Sequence, residues 1–274
     1  MITQRSEKEL AFLHDLFVAT DWGERFSGLI DEHVVLPEKG RVLYIGVGTG
    51  THAIALQERV APKVEFLGVD EHEEYLALAR AKASALKDPA EFRVSASDQL
   101  AFADNNFDFV IGDGSLLLPH RLPKMLGEMV RVTKPGSSIA MSLATSSSFG
   151  EFFSIYWEVL QNSALSEQAA KVESLITELP TVSEIEELAE REGLEEIRTS
   201  SRIEEFEYET GEQFLNSPLI SDFLMRHWLD FVPAAHSERI AKEIQRMINE
   251  ERHETEFTLS VKATLLLGRK GRSN

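Results

Sequence analysis

Four short runs, RVLYIG, VEFLGVD, EFRVSA and FDFVIGDG, are apolar, rich in β-branched or aromatic residues, and bounded by Gly, Asp or Pro. Between them lie THAIALQERV, EEYLALARAKASAL and LPKMLGEMVRV, whose apolar residues recur at helical spacing. Strands that alternate with helices must pair in parallel through right-handed crossovers, so this rhythm predicts an α/β fold with helices on both faces of a mostly parallel sheet. SSIAMSLA supplies a fifth strand after the turn KPGS. Upstream, residues 6–33 read as two amphipathic helices broken at TDWG, with Leu10, Leu13, Leu16 and Phe17 on one face of the first. Downstream, residues 144–182 are Ser-rich and then helical, and Gly193 is placed to cap the acidic helix SEIEELAEREG. Two further strand-like runs, EEIRTSSRIEEFEYE and EFTLSVKATLLLGRK, are separated by helices near 211–231 and 235–251. The expected organisation is a single domain over 1–274, with N-terminal helices at 1–36, a cofactor-binding core at 40–145, a helical insertion at 146–182 and the remainder of the sheet at 183–274.

Composition narrows the function classes. The 274 residues are 43% hydrophobic, enough for a sizeable core. Lys plus Arg number 28 against 46 Asp plus Glu, a net charge of −18 that repels the phosphates of nucleic acid and anionic lipid, so neither is an expected partner. The absence of cysteine removes disulfides, thiolate metal sites and a cysteine nucleophile together. The histidines are scattered without a close pair, and no metal site is expected. The first residues mix charge with helical spacing rather than forming a signal peptide, and no run approaches a membrane span; a cytoplasmic protein is expected.

The turn between the first strand and its helix reads Gly46-Val47-Gly48-Thr49-Gly50. Glycines at alternate positions let the backbone turn tightly and bring a ligand against bare main chain, while the helix that starts near Gly50 aims free N–H groups at it. The same pattern also serves as a plain strand-to-helix turn. Asp70 ends the second strand, twenty residues beyond Gly50, where a carboxylate can accept from both hydroxyls of a ribose; it could instead cap a helix that starts near Glu71. The dinucleotide fingerprint G-x-G-x-x-G requires a third glycine where Thr51 stands, so a nicotinamide oxidoreductase is disfavoured.

VLYIGVGTG, FLGVD, LAFADNNFDFVIGDGSLL and LGEMVRVTKPGSSIAMSL, in that order and at ordinary spacing, resemble the class I S-adenosylmethionine-dependent methyltransferases, and within them the type 11 group of small-molecule enzymes. The resemblance covers residues from about 40 to 145. It implies a Rossmann-like seven-stranded sheet whose last strand is antiparallel, which residues 255–269 fit, and S-adenosylmethionine as cofactor. It further implies that Gly46, Val47, Gly48 and Gly50 face the methionine portion, Asp70 holds the ribose, Glu71 lies along the adenosine, Ala96 and Ser97 flank the adenine, and Gly112 lies near the sulfonium. Two positions depart from the family, which usually carries an acid at the place of Tyr44, to hold the ammonium group, and commonly another at Ala96. These departures keep open a methyltransferase-fold binding subunit without catalysis.

Asp113, at the end of the fourth strand, and His120, in the loop after it, are the candidate catalytic groups; the plainer reading of His120 is a solvated loop histidine. SFGEFFSIYWEVL presents Phe149, Phe152, Phe153, Tyr156 and Trp157 at helical spacing, either as a core stripe or as a wall for the substrate. Phe149, Phe153, Tyr156 and Trp157, with Trp22 and Phe26 on the other side, are the candidate substrate contacts, and a small apolar or aromatic molecule is the expected acceptor.

Overall fold

Ser6 opens the first helix through a capping box: its hydroxyl accepts from Glu9 N–H while the Glu9 carboxylate accepts from Ser6 N–H at 2.8 Å. The computed structural model describes residues 5–60, 63–86, 90–251 and 256–272. Positions 1–4 of the N-terminal segment, 255 of the last expected strand and 273–274 of the C-terminal part lie outside them. Helix α1 (Glu7–Leu13) runs through a π-helical stretch (His14–Gly23) into α2 (Glu24–His33), so the expected break at TDWG does not occur. Each wider π turn absorbs one more residue than an α turn and rotates the side chains that follow. That rotation leaves Leu16 and Phe17 exposed, at 61% and 51%, and buries Val18 and Trp22 instead.

Strand β1 (Gly40–Ile45), helix α3 (Thr51–Arg59), β2 (Val64–Asp70), α4 (Glu73–Ala83) and β3 (Glu91–Val94) build one half of the sheet; β4 (Phe107–Asp113), α5 (Leu122–Val132) and β5 (Thr133–Thr145) extend the other. Then follow α6 (Gly150–Gln161), α7 (Ala169–Glu178), α8 (Val182–Arg191), β6 (Leu194–Tyr208), α9 (Gly211–Asn216), α10 (Met225–Trp228), α11 (Ala234–Glu251) and β7 (Phe257–Lys270). The seven strands lie in the order β3-β2-β1-β4-β5-β7-β6. All pairings from β3 to β5 are parallel, and the far edge carries the antiparallel last strands that the Rossmann-like reading expects. The turn KPGS lies within β5 as an irregularity in its pairing with β4, not ahead of the strand.

Because β1 sits between β2 and β4, the chain reverses its direction of winding there, and a crevice opens outside the carboxyl ends of β1 and β4. Leu43, Ile45, Val69 and Val110 project to one face of the sheet, onto Met125, Leu126 and Met129 of α5. Gly112 belongs to that packing: a Cβ there would lie 2.7 Å from both Met125 Cε and Met129 Sδ.

The chain gathers into two compact units. One comprises Ser6–Leu143, Thr181–Ser201 and Ala263–Asn274, the other Met1–Arg5, Ala144–Pro180 and Arg202–Lys262. The glycine turn, Asp70, Asp113 and the N-terminal helices belong to the first unit. In the second, Phe152 and Phe153 of α6 close on Trp228 and Phe214, with ring centroids 4.6 Å apart for Phe152 and Trp228.

Candidate functional site

Gly46, Gly48 and Gly50 adopt φ of +75°, +54° and +79°, a conformation that costs any residue with a Cβ. Each also lies against a different neighbour. A Cβ at Gly46 would meet the carbonyl oxygen of Asp113 at 2.5 Å, one at Gly48 would meet His14 Cε1 at 2.6 Å, and one at Gly50 would meet Ala79 Cβ at 2.7 Å. The turn is thus bare main chain wedged between β4, the N-terminal helical run and α4.

Asp70 holds this turn from the next strand. Its Oδ2 accepts from Gly48 N–H at 2.9 Å, and its Oδ1 accepts from His72 N–H at 3.0 Å and from His72 Nδ1 at 3.1 Å. Helix α4 begins at Glu73 with His72 in the cap position, so Asp70 braces the residue before the helix and is not its N-cap. The bond to Asp70 raises the pKa of His72 above the ordinary histidine value. His72 stacks on Tyr75, and Tyr75 also meets His14, each at 4.9 Å between centroids. Burial pushes His14 down to about 4, so it is neutral near pH 7. Lys82 ties the same segment in place, donating to Asp15 Oδ1 at 2.5 Å and to Thr51 Oγ1 at 2.9 Å.

At the ends of β2 and β3, Arg121 clamps two loops. It donates to both oxygens of Glu71 at 2.9 and 2.8 Å, and to both oxygens of Asp98 at 2.9 and 3.1 Å. Ala96 and Ser97 precede Asp98 in the same loop. Ser97 is 9% exposed, and neither its Oγ nor that of Ser95 has a hydrogen-bond partner. Buried hydroxyls are normally paired, so these two retain the capacity to bond a polar group.

Tyr44 lies 3% exposed at the end of β1. Its hydroxyl is 2.9 Å from Nδ1 of His52 on α3; His52 Nε2 lies 3.2 Å from Oδ1 of Asp31 on α2, and Arg59 donates to the same oxygen at 2.7 Å. Burial lowers the pKa of His52 and raises that of Tyr44 well above its ordinary value, so both are neutral at pH 7. The consistent proton arrangement has His52 Nε2–H donating to the Asp31 carboxylate and the Tyr44 O–H donating to His52 Nδ1.

Across from Tyr44, in register with it on β4, Ile111 leads to Gly112 and Asp113. The Asp113 carboxylate accepts from Ser115 N–H at 2.9 Å and from Ser142 Oγ at 3.3 Å, with the Ser115 hydroxyl as a further donor. Burial raises its pKa despite these bonds. Trp22 Nε1 donates to Ser115 Oγ at 2.9 Å, and Phe26 packs on the indole at 4.8 Å, so these two aromatics are buried supports of the β4 end. His120 is exposed on the short 3-10 turn Pro119–Arg121. In the second unit, Phe149, Phe153 and Tyr156 are buried among aromatic neighbours, the Tyr156 hydroxyl donating to Trp228 O at 3.2 Å; Trp157 is 39% exposed and donates to Glu173 at 3.3 Å. No group of His, Asp and Glu among the described residues is placed to hold a metal ion, and no helix among them is long and apolar enough to cross a membrane.

His14, His52, Asp31, Arg121, Ser115 and Ser142 have no counterpart among the residues singled out in the sequence. Each reaches the site from another element, and no local pattern marks it.

Comparison with known proteins agrees with this geometry. Residues 42–136 match a family model described as a methyltransferase domain. A demethylmenaquinone methyltransferase of Geobacillus kaustophilus is 38% identical over 125 residues, 44% of this chain and 52% of that protein. One from Bacillus cytotoxicus is 30% identical over 170 residues, covering 58% of this chain and 71% of the relative. The matches to several such relatives span about half of the relative's length, 49–52%. Among solved structures, the YcgJ protein of Bacillus subtilis superposes with a TM-score of 0.59 at 18% identity, over 91% of this chain and all of that one, a likeness of fold. Glycine turn, acidic strand end, sheet order and a relative matched over most of its length point the same way: the chain belongs to the class I S-adenosylmethionine-dependent methyltransferases.

Proposed function

We propose that this chain binds S-adenosylmethionine across the carboxyl ends of β1, β2, β3 and β4 and transfers its methyl group to a small aromatic or apolar acceptor. The observation that carries the reading is the combination of three positive-φ glycines, an acidic β2 terminus joined to them, and two orphaned buried hydroxyls at the end of β3. These residues fit the cofactor's parts. The bare main chain of Gly46-Val47-Gly48 would meet the methionine portion. Asp70, whose ring partner His72 is 43% exposed, would take the ribose hydroxyls in place of the ring. Ser97, in the loop held by Arg121 between Glu71 and Asp98, would meet the adenine.

When bound, the cofactor supplies an electrophilic methyl on a sulfonium. Positioning does most of what the chain must do, since an in-line displacement gains up to ~7–11 kcal/mol from orientation alone. The N-terminal helices, held over the glycine turn by His14 and by Lys82 with Asp15, would shield the reacting centre from water. His120, exposed on the turn after β4, is the proposed base for an acidic acceptor. The relatives' name, demethylmenaquinone methyltransferase, supports a quinone-like ring as acceptor class.

Titration with S-adenosylhomocysteine and, separately, with NADH tests the reading. Saturable binding of the first alone, followed by methylation of a hydroquinone probe from labelled S-adenosylmethionine, is expected. Binding without transfer to any acceptor of this class would favour a binding subunit, and preference for NADH would overturn the cofactor assignment.

A further inference from the structure

A guanidinium carries five N–H donors in a planar fork, so one arginine can hold two carboxylates bidentately, which an ammonium cannot do. Arg121 uses its fork in this way. Nη1 and Nη2 donate to the two oxygens of Glu71, while Nη2 and Nε donate to the two oxygens of Asp98. Isolated surface ion pairs contribute little, but two bidentate pairs that share one guanidinium, 22% exposed, form a network with fixed geometry. Each member of this network adjoins, in the chain, a residue of the proposed site: Glu71 follows Asp70, Asp98 follows Ser97, and Arg121 follows His120. Glu71, expected along the adenosine, thus turns both of its oxygens to Arg121.

The backbone beside Arg121 has little slack. Its N–H donates to Leu118 O at 2.9 Å and closes the Pro119–Arg121 turn, and the next residue, Leu122, is buried in the core at the start of α5. The same loop is also fixed where it leaves β4: Gly114 N–H donates to Ser142 O at 2.8 Å, and Ser115 Oγ accepts from Trp22. A restraint on the guanidinium therefore reaches the backbone of His120.

We propose that Arg121 is a positioning residue for methyl transfer: by gripping Glu71 and Asp98 it ties the loop that carries His120 to the two loops that would flank the adenosine, so that cofactor occupancy orders the acceptor side of the site. The inference rests on the cofactor reading above. A ligand that engages Asp70 and Ser97 restrains the residue next to each, and Arg121 passes that restraint to the turn after β4. The proposed base would then be held in place only while a methyl donor is present.

Hydrogen exchange on wild type and Arg121→Met, each with and without saturating S-adenosylhomocysteine, tests the coupling without any need for turnover. In wild type the ligand should slow exchange severalfold in segments 70–73, 95–99 and 114–121. In Arg121→Met the first two segments should still be protected and the third should not. Should that variant bind too weakly to saturate, Arg121→Lys, which keeps the charge but not the fork, decides by the same comparison. Ligand protection of 114–121 that survives in the variant, or is absent from wild type that protects the other two segments, would overturn the coupling and leave an ordinary structural ion pair. Wild type that does not bind S-adenosylhomocysteine would overturn the cofactor reading as well.

Discussion

Replacing Asp70 by alanine should damage stability and ligand binding at once, in separable amounts. The carboxylate accepts Gly48 N–H, His72 N–H and the His72 ring. In the alanine variant Gly48 N–H is left without its buried acceptor, which costs ~1–3 kcal/mol. For a chain of this size that corresponds to a fall in Tm of roughly 2–4 °C per kcal/mol. The ribose would lose charge-assisted bonds from its hydroxyls, each worth ~1.5–3 kcal/mol, so affinity for S-adenosylhomocysteine should drop at least about tenfold. Scanning calorimetry reads the first effect and isothermal titration the second. His72→Ala is the opposing control: it frees Oδ1 from the ring while Gly48 stays held, so affinity should hold or rise. A lower Tm with unchanged affinity in Asp70→Ala would refute the ribose role and leave Asp70 as a brace of the turn alone.

Three further outcomes follow from the same geometry. His14 has a folded-state pKa of about 4, below the ordinary 6.5, so the unfolded chain binds the extra proton and stability should fall as pH drops from about 6.5 towards 4; His14→Gln should flatten that part of the melting profile, and an unchanged slope would refute its burial as the cause. His72 has the opposite sign: its pKa is raised, so the stabilisation from its bond to Asp70 is present below about 6.5 and lost as pH rises through the folded value, making His72→Ala more damaging to melting at pH 5.5 than at 8.5. Gly48→Ala would place a Cβ 2.6 Å from His14 at φ +54°; it should lower the Tm and release the N-terminal helices, read as faster proteolysis near residues 7–23, and protection equal to wild type would count against the docking of His14 on the turn.

The strand–helix rhythm, the glycine turn and the acidic end of β2 were legible in the sequence because each is encoded within a few neighbouring residues, by alternation, by helical periodicity or by the need for φ > 0. The mostly parallel pairing followed from the alternation of strands with helices, and the antiparallel last strand that the resemblance implied near 255–269 is realised as Phe257–Lys270. The N-terminal face was misread at Leu16 and Phe17, since a π-helical stretch changes the phase of the side chains and no composition signal announces it. Only the tertiary structure decided what surrounds the turn. Tyr44 meets His52 across the glycine turn, His52 meets Asp31 from a helix before the sheet begins, and Asp113 gathers Ser115, Ser142 and, through Ser115, Trp22 from three separate elements. Such pairings depend on the register of β1 against β4 and on where the N-terminal helices dock. Register and docking are settled by the burial of whole faces, a sum over many residues, so no short stretch of the chain carries the information that sets Ile111 and Gly112 of β4 beside Tyr44 and Ile45 of β1.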